Sequence, residues 1–195
     1  MRRQTIVRAA TELFRRLFTR AAEEPLAWQA SADSLMRAAR ALVPSIEADG
    51  RAASDPAATT FEPPVTPVYM LLVGLAVENL AKAVHVARTQ SAVGGDRLAK
   101  DLKTRSLLDL LRRVGLELDD EAYLVERLEV FVTWAGRYPT PLKLDDYLPR
   151  TQPSGGSGPL TGFHSTDPER VEALVERLTL TIESARNGAR RTAAN

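Results

Sequence analysis

Two strings in this sequence carry side chains whose types and spacing could do chemistry. Glu78, Lys82 and His85 fall at i, i+4 and i+7, which lines them along one helix face. A carboxylate, an ammonium and an imidazole placed so can bind a phosphate or move a proton. The same spacing describes the one wet edge of a buried helix, with Glu78 and Lys82 paired for roughly 0.3 kcal/mol and His85 a hydrogen-bonded structural residue. The second string is Trp134-Ala-Gly-Arg-Tyr-Pro at 134–139. Trp134 and Arg137 stand three apart at a helix end, so Arg137 can stack on the indole while its guanidinium reaches an anion, with Tyr138 beside it. Alternatively Arg137 caps the last carbonyls and Tyr138 packs beneath the following loop.

Weaker signals lie elsewhere. The run Ser154–Gly158 lacks the lysine and hydroxyl of a phosphate-binding loop and follows no strand, so it reads as a flexible loop tip. Asp119-Asp120-Glu121 suits a helix N-terminus, where carboxylates meet the positive dipole end. Asp145-Asp146 has no neighbouring ligand pattern. Arg2, Arg3, Arg8, Arg15, Arg16 and Arg20 make the N-terminus locally basic, a face for nucleic acid or simply a solvated one. With no cysteine and two histidines, disulfides, thiolate nucleophiles and Cys-based metal sites are excluded. Neither a metal nor a cofactor is expected.

The elements that must position these groups are helical. Ile6, Ala10, Leu13, Phe14, Leu17 and Phe18 form an apolar stripe, with Glu12 and Arg16 paired on the opposite face. A second helix is expected from near Ser31, with Leu35, Ala39, Leu42 and Ile46 inward and Pro44 kinking or ending it. Residues 50–64 read as a linker. A third helix from Thr66 to about Arg88 is apolar almost all round, so it should be buried on most sides. A short helix over about Thr104–Arg113 follows, with Gly115 as its cap, then one over Asp119–Ala135 cored by Leu124, Leu128, Phe131 and Ala135. Residues 138–166 form a long irregular loop. Asp167 and Pro168 open the last helix, whose buried face is Val171, Leu174, Val175, Leu178 and Ile182.

These spacings predict an all-α, antiparallel bundle of five to six helices. One domain over 1–187 is expected, with a disordered tail at 188–195. The 26 basic and 25 acidic side chains leave a net charge of +1, which steers the chain to neither nucleic acid nor membrane. The basic start is not followed by an unbroken apolar run, and the apolar stretch Val68–Val77 is too short to span a bilayer. A cytoplasmic protein without membrane contact is the expectation.

Three stretches carry a family resemblance. YMLLVGLAVENLAKAVHVAR (69–88) resembles the long central helix of the HEPN superfamily of small helical bundles, with its acidic residue and lysine one turn apart. LKTRSLLDLLRRVGLELDDEA (102–122) looks like the downstream short helix, although Thr104-Arg105-Ser106-Leu107 stands where relatives often read Thr-His-Asp-Leu. EVFVTWAGRYPTPLK (129–143) is similar to the Trp-x-Gly-Arg-Tyr-Pro ending of a poorly characterised bacterial branch. Together they cover about residues 65–143.

The resemblance implies a bundle that pairs as a homodimer. Active members are metal-independent RNA endonucleases, often toxins or antiviral effectors, with an arginine four to six residues before a histidine. That motif is absent, since no arginine stands at the required distance before His85 or His164. No catalytic pair carries over, and whether the chain is an enzyme stays open. The leading reading is a non-catalytic or divergent bundle binding a nucleotide, RNA or protein partner through Arg137, Tyr138 and Trp134, with Glu78, Lys82 and His85 nearby. The alternatives are an RNA endonuclease using Arg137 and His85, and a dimeric scaffold burying the apolar surface of the third or last helix.

Overall fold

The computed structural model describes residues 2–55, 57, 63–94, 97–104, 106–141, 143–151 and 157–193. Over the described residues it is an all-α bundle built from six helices: α1 (Arg2–Glu23), α2 (Pro25–Ala53), α3 (Thr66–Thr89), α4 (Leu107–Arg113), α5 (Ala122–Val130) and α6 (Asp167–Ala193). A π-helical segment, Phe131–Ala135, extends α5. Two antiparallel ladders of two residues per strand, Val93–Gly94 with Arg97–Leu98 and Arg150–Thr151 with Ser157–Gly158, staple the loops. They were not foreseen from the sequence, because two residues give no alternation to read.

α3 is the axis of the core. Its Val73, Ala76, Val77, Leu80, Ala81 and Val84 are buried, and α2, α5, α6 and the π segment pack around it. α2 offers Ala32, Met36, Ala39 and Ile46, while α6 offers Val171, Leu174, Leu178 and Ile182. By length and composition α3 could cross a membrane, but most of its apolar window is buried inside the bundle. That window runs past Val77 and takes in Glu78 and Lys82, which pair with each other.

Several helix limits differ from those expected. α2 starts at Pro25 rather than near Ser31, with the Glu24 carboxylate accepting from the Leu26 N–H at 3.2 Å. Glutamate is not among the strongly preferred cap residues, which hid this start. The helix also runs through Pro44, which does not end it, to Ala53. Pro44 is exposed, and burial of Ala39 and Ile46 on the other side outweighs a lost backbone bond. Residues 50–53 are therefore helix, not linker, while residues 56 and 58–62 lie outside the described residues. α4 starts at Leu107, α5 has a 3₁₀ turn at Asp119–Glu121 ahead of it, and α6 continues to Ala193 where a disordered tail was expected. Gly115 does close α4, at φ +67°.

α3 and the α5–π segment meet at glycines. A Cβ on Gly74 would lie 2.5 Å from Val132 Cγ2, and one on Gly136 would lie 2.6 Å from Leu71 Cβ. A larger residue at Gly74 would have to displace the Val132 side chain and crowd the Leu128 carbonyl at 3.1 Å, and one at Gly136 would press on the Phe131 carbonyl at 2.9 Å, so that backbone must move.

The deepest polar contact is an ion pair between α5 and α6. Arg127 and Asp167 are both fully buried and joined by two hydrogen bonds of 2.6 Å. Asp167 also accepts the His164 N–H at 2.8 Å, and Arg127 donates to the Gly162 carbonyl at 3.1 Å and lies over the Tyr123 ring. Asp167 was expected as a cap at the start of α6; it does hold that start, but mainly by accepting a buried guanidinium. Lateral pairs reinforce the bundle: Arg40 grips Glu172 through two 2.7 Å bonds, and Arg177 reaches Glu121 at 2.6 Å.

Tyr69 is buried edge-on to Phe163, and its phenol is pushed above the usual tyrosine value, first by desolvation and then by the charges of Glu172 and Asp167. Its protonated form is the one the fold favours, so this contribution is whole below pH about 10 and is lost as pH rises beyond it. Urea unfolding should show stability falling at alkaline pH, with Tyr69→Phe blunting that fall; an unchanged alkaline slope would refute the assignment. Asp167→Asn should cost about 3–5 kcal/mol in the same measurement at neutral pH, because it leaves Arg127 charged and buried. Replacing both partners by apolar residues should recover much of that loss.

Candidate functional site

The Trp134–Tyr138 string sits where α5 widens. The Thr133 hydroxyl bonds the Glu129 and Val130 carbonyls at 2.8 and 3.1 Å, which loosens the α-helical ladder. The helix then takes a π turn, closed by the Gly136 N–H on the Phe131 carbonyl at 3.1 Å. Arg137 does not stack on Trp134. It donates to the Thr133 carbonyl, and its guanidinium centre lies 5.6 Å from the Tyr138 ring centroid. Arg137 therefore caps the helix end. Tyr138 is 58% exposed, so it does not pack beneath the loop. Trp134 is buried, with its ring 6.0 Å from Tyr147 and its Nε1–H buried without an acceptor among the described residues.

Two adjoining clefts surround this helix end. One, of about 490 Å³, is lined by Glu78, Thr104, Ser106, Glu129, Arg137 and Tyr138. The other, of about 790 Å³, is lined by Trp134, Tyr138, Pro139, Pro141, Asp146 and Leu160, and shares Ser106, Glu129 and Thr133 with the first. Glu129 holds the wall between them. Its carboxylate accepts the Leu107 and Leu108 N–H groups at 2.7 and 3.3 Å and the Ser106 hydroxyl at 3.2 Å. Ser106 in turn caps α4 by accepting the Asp109 N–H at 3.1 Å. The carboxylate thus meets the positive end of α4 from outside that helix.

The polar line of α3 is divided. Glu78 and Lys82 form an ion pair, and the Lys82 ammonium lies 5.4 Å from the Trp28 ring centroid. Trp28 itself donates to the Ala22 carbonyl at 2.8 Å. Glu78 borders the Arg137 cleft. His85 instead lines a separate cleft of about 410 Å³ with Arg88, Asp101 and Arg113. The structure thus brings Glu78, Arg137, Tyr138 and Trp134 to one region, with Lys82 at its edge and His85 outside it.

Among the described residues, no group of three or more His, Cys, Asp or Glu is placed to hold a metal ion. The Asp145-Asp146 pair sits in an exposed 3₁₀ turn. The glycine-rich run falls on residues 154–156, which lie outside the described residues, and on Ser157–Gly158 of the second ladder.

No protein-family model, curated protein or solved structure matches this chain. The helical bundle is the part of the resemblance that the structure bears out.

Sequence reasoning missed Glu129, Ser106 and the orphaned Trp134 N–H. Ser106 before an apolar run was the one legible signal, as a cap; the Glu129 contact spans more than twenty residues and leaves no local pattern. Glu129→Ala should cost about 1–3 kcal/mol in thermal or urea unfolding, because buried α4 donors lose their acceptor. Arg137→Ala, at an exposed helix end, should cost under about 1 kcal/mol. A reversed order would show that the helix end, not the α4 anchor, organises the clefts.

Proposed function

We propose that this chain is a divergent HEPN-like bundle that acts without catalysis, as a module binding a protein partner at the joined clefts beside Trp134. The observation that carries this is the combination of an unpartnered donor and exposed apolar groups. Trp134 Nε1–H is buried without an acceptor among the described residues, at a cost of roughly 1–3 kcal/mol. Tyr138, Leu144, Tyr147 and Leu148, on the segment next to it, are 48–72% exposed. A peptide backbone offers the missing carbonyl, and its side chains cover aromatic and leucine surface.

RNA and nucleotides fit less well. Arg137 is engaged with the Thr133 carbonyl and the Tyr138 ring, and the clefts carry the carboxylates of Glu126, Glu129 and Asp146. An endonuclease would need Arg137 and His85 on one phosphate, and they line separate clefts. The scaffold reading also changes place: α3 is committed to the core, so its apolar surface does not serve a partner.

The test selects peptides from a displayed library on the purified chain and follows the Trp134 indole N–H by NMR. Apolar peptides should be enriched and should shift that resonance. Leu144→Ser with Tyr147→Ser should weaken them by about tenfold or more without altering melting. No enrichment, or binding indifferent to that pair, sinks the proposal. So does cleavage of an RNA pool in excess chelator that Arg137→Ala or His85→Ala abolishes, because that would establish a metal-independent ribonuclease.

A further inference from the structure

Among the described residues, α1 presents an apolar stripe with little cover from the rest of the bundle. Leu13, Phe14, Leu17 and Phe18 form two i,i+4 pairs on one side, and they are 40–67% exposed. The helix is held to the body near its C-terminal end, where Ala22 packs with Val86, Ala92 and Leu102. At 3.6 residues per turn, Ala22 lies about a third of a turn round from the centre of the apolar stripe. The stripe therefore faces away from the bundle.

Charge is sorted in the same way. α1 carries six arginines against two glutamates, a net of +4. The whole chain has a net of +1, so the remainder is −3. The whole-chain value, from which no membrane contact was expected, averages two opposite parts. Glu12 is drawn to Arg16 and Arg15, whose hydrogen bonds hold its carboxyl below the usual range.

We infer that α1 lies on an anionic lipid surface, apolar stripe down and arginines in the headgroup layer. The helix is about 33 Å long, with Arg15 and Arg16 away from the stripe, Arg20 at its flank and phenylalanine and leucine on it, the pattern of an interfacial helix. The acidic remainder turns the bundle outward from such a surface. A second copy is the weaker occupant. The four side chains expose on the order of 400 Å², so a dimer on this stripe alone would bury about 800 Å² in total, below the ~1,200 Å² of a specific interface. It would also set +4 against +4.

The test is co-sedimentation of the full chain with vesicles of phosphatidylcholine alone and of phosphatidylcholine with phosphatidylserine in a two-to-one mixture. Binding should require phosphatidylserine and weaken with salt. Phe14→Ser with Leu17→Ser should lower it roughly thirtyfold or more at unchanged melting temperature. Arg20→Gln should lower it about fivefold. Phe14→Trp should give indole emission that moves to shorter wavelength on the mixed vesicles only. Absence of binding, equal binding to both vesicles, or binding indifferent to the serine pair overturns the inference. A dimer that the serine pair dissociates, with no vesicle binding, assigns the stripe to a second copy instead and also overturns it.

Discussion

The buried Arg127–Asp167 pair is the constraint on which the arrangement of the second half depends. It fastens the middle of α5 to the first residue of α6 and, through Gly162 and His164, fixes the chain between them. The described stretches that leave the π segment at Tyr138–Pro141 and come back at Leu160–Gly162 are therefore anchored on the same helix. Both line the larger cleft beside Trp134. A buried pair contributes little net stability compared with apolar residues of the same volume, but it tolerates few alternative registers. Here both oxygens and both terminal nitrogens are satisfied, so sliding α6 by a turn would strand two charges in the core.

The second constraint is closeness. α3 can be central only if its neighbours come near, and Gly74 and Gly136 allow the α5–π segment to do so on adjacent turns of α3. The π turn follows from the same demand. Thr133 draws two carbonyls to its hydroxyl, and the extra residue in the turn carries Gly136 against Leu71. Within this irregular turn Trp134 buries an indole N–H that has no acceptor among the described residues.

The fold was largely legible because its signals are local. The stripes of α5 and α6 follow helical spacing, and Leu124, Leu128, Val171, Leu174, Leu178 and Ile182 are buried as that spacing requires. Helix limits were less so. Pro44 and Glu24 are poor local signals, and tertiary burial overrode the first while an uncommon cap hid the second. The site was half legible. Glu78, Trp134 and Arg137 do converge, but Arg137's choice of the Thr133 carbonyl over an anion is set by the π turn, which no residue spacing announces. The contacts Arg127–Asp167 and Glu129–Leu107 join residues far apart in the chain, so they are properties of packing.

The division of the α3 polar line follows from helix geometry alone. Glu78, Lys82 and His85 share a face, yet Glu78 and His85 are seven residues apart, so about 10 Å of helix separates them along the axis. One small ligand group cannot touch both. Lys82, between them, is turned to Glu78 and Trp28. A shared helical face is therefore not yet a site. The groups must also meet at one height, and here the helix axis puts Glu78 at the Trp134 end of the bundle and His85 at the end where Arg88 donates to the Val114 carbonyl. The chemistry suggested by that triad of types divides into two separate environments, and the one that retains an unsatisfied polar group is the cleft beside Trp134.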